Sequence, residues 1–429
     1  MIDWKTVANM PFAIELECPK CHKRYSLQNW LEDKCGFRLR IIYDLESRNE
    51  NISKEEIKSA PISHWKYRSF FPLEKAENEL TTGEGGTQLI KSRRLGNELG
   101  LKHLYFKLEH TNPSGSFKDR PISVGASVAF ENNALALCAA SSGNAAASLA
   151  SYGAKAGIKT VVFVPERASS SKVAQLITLG AIVVRVSGDE TSEGDPSVKL
   201  FHDAYENWGW VPCPSFGPFN PFQFEGTKSL GYELIEQLNW EVPDWVLCNT
   251  GSGGLLGGTG AGFKDWKDLS WIEQIPHMAV VQPTACNPVV KAFKNKMDPL
   301  EFADQPGFPD TVAGGLADPH PWDGDTALEM LYFSEGEAIS VSDSEILEAQ
   351  QQLAATEGLF GSPSGVAAIA GLRKLVEDGI IDSSDVVVVP ITGHGLKDPA
   401  ILNDKVKEAI VCPADLSILS EELKKKGFH

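Results

Sequence analysis

Four short segments set a glycine turn beside side chains that can hold a proton, a phosphate or a heterocycle. The first is Asn112-Pro113-Ser114-Gly115-Ser116-Phe117-Lys118-Asp119-Arg120. Pro113 and Gly115 make a turn, and Ser116 is a candidate N-cap for the helix that follows. Pro121 then falls in the first helical turn, where its missing N–H is harmless. Lys118 is thereby placed at a helix N-terminus, where positive potential and burial favour the neutral amine needed for Schiff-base chemistry. Alone, the segment describes a surface lysine in a turn equally well. The second is Ser141-Ser142-Gly143-Asn144, ahead of the small-residue run AAASLASYGAKAG. Its amide, hydroxyls and backbone N–H groups suit a ring oxygen or a carboxylate, and a plain turn with capping serines is the alternative. The third, Gly251-Ser252-Gly253-Gly254-Leu255, lets backbone N–H groups close on a phosphate, and it matches neither the Walker nor the GxGxxG spacing. The fourth is Thr392-Gly393-His394-Gly395, whose hydroxyl can meet a heterocyclic nitrogen. His394 is given no role.

Loops of this kind need strands behind them and helices ahead. From Thr81 onward the chain supplies both. Apolar β-branched runs (KTVVFVP from Lys159, AIVVRVSG from Ala181, VPDWVLCNT, MAVVQP, DVVVVP) alternate with helical patterns such as SSKVAQLITLG, SVKLFHDAYENWG, FEGTKSLGYELIEQLNW and SGVAAIAGLRKLVEDG. This alternation predicts an α/β fold with parallel sheets, whose ligands bind at the carboxyl ends of strands. A charged, proline-bearing stretch at 48–80 reads as an irregular connector, after an N-terminal segment at 1–47 that ends in the strand-like run Arg38 to Tyr43.

The 429 residues are 42% apolar and 23% charged, with a net charge of −17. Acidic and basic residues interleave, which excludes nucleic acid as the main partner, because a phosphate backbone needs a clustered basic face. No run approaches the length of a membrane-spanning helix, and the first residues do not read as a signal peptide. The scattered cysteines fit a reducing cytoplasm.

Together and in this order, the segments resemble the fold type II enzymes that use pyridoxal 5'-phosphate (PLP), the threonine synthase family most of all. TGEGGTQLIKSRRL from Thr82, NPSGSFKDR, SSGN, EGTKSLGYEL from Glu225 and TGHGLKDP from Thr392 carry the likeness. It implies two parallel-sheet three-layer αβα domains and a small N-terminal zinc-ribbon-like extension. Residues 81–112 and 214–412 would form the large PLP-binding domain, 113–213 a small mobile one, and 413–429 a tail. It also implies roles. Lys118 would carry PLP as a Schiff base and move protons. Asn144 would hydrogen-bond the ring oxygen, residues Gly251 to Leu255 would hold the cofactor phosphate, and Thr392 would face the pyridine nitrogen. Ser116, Ser141, Ser142, Gly143, Ala145, Asn220 and Gln223 fall on the substrate side.

The resemblance implies a lyase that eliminates or replaces a group at Cβ or Cγ of a small amino acid, with threonine synthase chemistry (O-phospho-L-homoserine plus water giving L-threonine and phosphate) as the best single match, and a homodimer. Several positions depart from the family. Ala145 stands where a threonine is usual, and Gln223 where an arginine grips the substrate phosphate; glutamine has no charged fork for that task. The loop GSGGL is closer to serine and threonine dehydratases. Pro121 and Gly361-Ser362-Pro363-Ser364 also differ from the pattern. Elimination or replacement on serine, phosphoserine or threonine is therefore the alternative, and a non-catalytic zinc-ribbon interaction protein the alternative of another class. Cys18, Cys21 and Cys35 resemble one and a half knuckles of a structural zinc site, one ligand short of the usual four.

Overall fold

The computed structural model describes residues 12–27, 38–44, 52–188, 195–303, 309–398 and 405–428. At the N-terminus β1 (Ala13–Glu17), β2 (Arg24–Tyr25) and β3 (Arg40–Tyr43) form an antiparallel sheet in the order β2-β1-β3. A tight turn joins the first two: the Cys18 N–H donates to the Lys23 carbonyl and the His22 N–H to the Cys18 carbonyl, both at 2.9 Å. Cys18 is buried, Cys21 is exposed, and Cys35 lies outside the described residues. Among the described residues no three His, Cys, Asp or Glu side chains converge as metal ligands would, so the zinc expectation has no support here.

The connector is more ordered than its charge suggests. It carries a helix at Lys54–Ser59 with a capping box, and a 3-10 segment at His64–Phe70. Trp65, Tyr67, Phe70 and Phe71 of that stretch are buried in the core beside Tyr232 and Trp266. Aromatic burial, rather than regular hydrogen bonding, fixes this segment.

The remaining strands are β4 (Leu89–Lys91), β5 (His103–Lys107), β6 (Ala136–Ala140), β7 (Lys159–Pro165), β8 (Ile182–Val186), β9 (Val211–Pro212), β10 (Trp245–Asn249), β11 (His277–Pro283), β12 (Glu337–Val341) and β13 (Val386–Pro390). They make two sheets, ordered β12-β11-β10-β13-β5-β4 and β8-β7-β6-β9, parallel except for β4. The expected α/β architecture is therefore present. β13 lies between β10 and β5, and it ends flush with β5, Pro390 opposite Lys107. The loops leaving these three strands thus emerge side by side, at a point where chain order reverses.

Three helices fill the space behind those loops: Asp119–Glu131, Pro221–Gln237 and Gly254–Asp268. They approach closely because glycines face backbone. Gly226 lies against the Arg120 carbonyl, and Gly231 and Gly262 let the second and third helices meet. Arg120 is fully buried at this junction. Its guanidinium donates to Glu109 Oε1 and Oε2 at 2.7 Å, and to Glu233 Oε1 and Oε2 at 2.8 Å. Lys107 Nζ completes the set at 2.7 Å from Glu233. Two cations thus balance two carboxylates, as buried charges require.

Arg120→Ala leaves two buried carboxylates facing one lysine and is expected to destabilise the fold by about 3–5 kcal/mol. Thermal or urea unfolding of the variant measures this; a loss under about 1 kcal/mol would show that the network does not hold the helices together.

Candidate active site

Each of the four loops leaves the carboxyl end of a strand: Asn112 to Arg120 after β5, Ser141 to Asn144 after β6, Gly251 to Leu255 after β10 and Thr392 to Gly395 after β13. They meet around one cleft of about 1460 Å³, lined by Lys118, Ser141, Ser142, Gly143, Asn144, Ala145, all five residues Gly251 to Leu255, and Thr392. That exceeds the ~300–1,000 Å³ of an ordinary small-ligand site, so a cofactor and a substrate both have room.

The lysine loop is pinned in place from the far end of the chain. The Phe117 N–H donates to the Thr392 carbonyl and the His394 N–H to the Gly115 carbonyl, each at 3.0 Å, with Ser116 and Gly393 paired between them. Ser116 therefore serves this bridge and does not cap the helix, which starts later, at Asp119, with no side-chain cap. Asp119 instead organises the turn, its Oδ2 accepting from the Ser114 N–H at 2.7 Å. His394 accepts from the Leu396 N–H at 3.1 Å, a local structural bond. Asn249 ties the ends of β10 and β13 to the helix Pro363–Glu377, donating to the Pro390 and Gly365 carbonyls and, at 3.4 Å, to Thr392 Oγ1.

Lys118 Nζ donates to Ser215 Oγ at 2.6 Å and lies near the rings of Phe117 and Phe216. Burial pulls its pKa down to about 8, against the opposing pull of Asp323 and Asp318. Ser215 holds a left-handed backbone, φ +68°, a conformation that costs a non-glycine residue on the order of 1 kcal/mol. Its N–H donates to Gln223 Oε1 at 2.9 Å. Sequence reasoning missed Ser215: a serine in Pro-Ser-Phe-Gly carries no signal beyond that of a turn.

Three expected substrate contacts lie elsewhere, the buried Ser116 of the bridge and two others. Gln223 is 1% exposed, and its side chain packs where a Cβ on Gly125 would sit, behind Ser215 rather than on the cleft wall. Asn220 caps the helix Pro221–Gln237 through the Phe222 N–H and donates to the Pro212 carbonyl at 3.0 Å. Both shape the segment that carries Ser215.

The glycine loop has the form of a phosphate cradle. Gly253 has φ +112°, and a Cβ there would lie 2.5 Å from the Asp323 carbonyl oxygen. The helix that follows has no side-chain cap, and residues Gly251 to Leu255 all face the cleft. Its first N–H groups suit an anion. Beneath the loop the buried Asp323 carboxylate accepts from the Gly217 N–H at 3.0 Å and from Arg38 Nη1 at 3.4 Å. Burial pushes Asp323 up to about 6, although Arg38 pulls it down. Arg38 also stacks on Phe224, so the N-terminal sheet is tied to the floor of the site. A lysine amine, a phosphate cradle, an amide at Asn144 and a hydroxyl at Thr392 fit a phosphorylated pyridine aldehyde.

Comparison with known proteins agrees. A family model described as pyridoxal-phosphate dependent enzyme matches residues 80–393. Threonine synthase of Methanocaldococcus jannaschii is 37% identical over 95% of this chain and 98% of its own length. That of Methanosarcina acetivorans is 36% identical over the same shares, 95% and 98%. Among solved structures, a threonine deaminase from T.th. aligns with a TM-score of 0.58 at 25% identity, covering 72% of this chain and 92% of that one. Maize serine racemase aligns at a TM-score of 0.61 and 20% identity, over 79% and 92%.

Two outcomes are expected. Uptake of PLP by the apoprotein, followed by absorbance, should accelerate through pH 8 as Lys118 loses its proton; a midpoint near the ordinary lysine value of about 10.5 would contradict the buried-amine assignment. Gly253→Ala should weaken cofactor retention on dialysis, because its Cβ pushes against the Asp323 backbone.

Proposed function

We propose a reaction for a chain that belongs to the pyridoxal-phosphate dependent enzymes and is a threonine synthase-like lyase: elimination of phosphate from O-phospho-L-homoserine and addition of water, giving L-threonine. The observation that carries the reading is the convergence of Lys118, Asn144, the Gly251 to Leu255 loop and Thr392 on a single cleft. The choice of reaction rests on relatives matched along almost their whole length.

The cofactor, when bound, supplies the electron sink that makes a proton on the substrate α-carbon removable. The protein supplies everything that decides which proton moves. Lys118 would hold the cofactor's aldehyde carbon when no substrate is present. Released from it, the amine is neutral above about pH 8 and serves as the base at the α-carbon. Ser215 Oγ, 2.6 Å from Nζ, aims that lone pair. Thr392 would offer the cofactor's ring nitrogen a hydroxyl, which stabilises an extra proton less than a carboxylate would, and that favours elimination over reactions needing a stronger sink. Ser141, Ser142 and the uncapped start of the helix Asn144–Ala156 offer donors to a substrate carboxylate. Phe117, Phe216 and Trp322 give the cleft an apolar stretch of wall beside Lys118.

A second reading is β-elimination from serine or threonine. Gln223 stands away from the cleft wall, and the likeness to a threonine deaminase structure favours it. The assay that separates them incubates the holoenzyme with O-phospho-L-homoserine, L-serine and L-threonine in parallel. Equal release of phosphate and threonine from the first supports threonine synthesis. An α-keto acid from the hydroxyamino acids, with no phosphate release, replaces it with the dehydratase reading. Lys118→Ala should lose more than about a thousandfold of either activity.

A further inference from the structure

The cleft extends beyond the residues that the cofactor would occupy, and its outer part carries several cations. The loop after β7 and the helix Ser170–Thr178 bring Arg167 and Lys172 to it; the loop after β13 brings Lys397 and Asp398. Lys172 Nζ lies 2.8 Å from Asp398 Oδ1, an ion pair that spans the two sheets' loops. Lys397 Nζ donates to the Ser114 carbonyl at 2.7 Å, four residues ahead of Lys118. Its aliphatic stem passes 3.3 Å from where a Cβ on Gly115 would be, and Gly115 itself has φ +82°, so glycine is needed there for backbone and for space alike. The Lys397 ammonium is thus built into the turn that presents Lys118.

Burial pulls Lys397 down to about 8; Asp119 and Asp398 resist, and Lys172 is close enough to add to the fall. Lys172 is paired with Asp398, while Lys397 only feels that carboxylate from a distance, so the two ammonium groups are under-neutralised and are relieved by an entering anion. The cofactor phosphate has its own cradle in the glycine loop, and Gln223 is buried and neutral. We propose that Lys172 and Lys397, with Arg167 at the rim, form the subsite for a phosphate monoester on the substrate side chain. This rests on the phosphohomoserine reading and names the residues that hold the leaving group.

The test uses the holoenzyme and two ligands that cannot react onward: L-2-amino-5-phosphonopentanoate, in which carbon replaces the ester oxygen, and L-norvaline, the same chain without the phosphonate. Binding of each is read from the change in cofactor absorbance. Wild type should prefer the phosphonate by tenfold or more, on the order of one charge-assisted contact. Lys172→Gln should weaken phosphonate binding by about 10–100-fold while norvaline binding stays within about twofold; Lys397→Gln, which also loses the bond to the Ser114 carbonyl, should weaken phosphonate binding at least about tenfold more than norvaline binding, and Lys397→Arg should recover part of the loss. A wild-type preference that both glutamine variants retain overturns the subsite and leaves the phosphohomoserine reading standing. Equal weakening of both ligands also overturns it, showing that the lysines only hold the loops. No wild-type preference for the phosphonate overturns the subsite and the reading together.

Discussion

The buried pairing of Arg120 with Glu109 and Glu233 is the constraint on which the site depends. Burial alone would raise the Glu109 and Glu233 carboxyls, but the Arg120 guanidinium outweighs it and holds both below the ordinary carboxylate range. Such charges tolerate no slack: moving any one by a rotamer strands another without water. The three residues come from the loop after β5, the helix that carries the lysine turn, and the helix Pro221–Gln237. Arg120 is two residues beyond Lys118. Fixing the guanidinium therefore fixes the backbone that presents the amine, and the same helix Pro221–Gln237 positions Ser215 through Gln223. Lys118 and its hydroxyl partner are placed by one ionic joint.

Much of this was legible in the residue order. The strands after Lys159 and the helices between them lie where alternating apolar runs predicted them, and the four loops announced themselves through glycine, proline and hydroxyl residues. All four meet on the cleft. What could not be read is what depends on the third dimension. Gln223 occupies a motif position associated with substrate, yet the absent side chain of Gly125 lets it fold inward, and only packing reveals that. Ser215 acquires its importance from a left-handed backbone that Pro-Ser-Phe-Gly does not announce. Asp323 and Arg38 are 285 residues apart and meet beneath the glycine loop. The aromatic run His64 to Phe71 was hidden by the charges around it, which made a core segment resemble a linker.

The N-terminal sheet shows a related limit. Its strand Arg40–Tyr43 matches a run visible in sequence, while the polar contacts that attach it to the body come from residues outside the cysteine pattern. Tyr43 donates to Glu225 Oε2 at 2.6 Å, and Arg38 reaches Asp323 and Thr326. Polar contacts from its third strand and from Arg38, two residues ahead of it, join the sheet to the body.

The bridge between the lysine turn and the loop after β13 has a consequence for how the protein comes into being. Ser116 and Gly393 are synthesised far apart in time, and the glycine leaves the ribosome long after the lysine turn has emerged. A nascent chain that has passed Lys118 but not reached Thr392 lacks the carbonyl that accepts from the Phe117 N–H and the loop that donates to the Gly115 carbonyl. Closure of the lysine turn is therefore a late event in the life of the chain: only a chain that has finished β13 can pair Ser116 with Gly393.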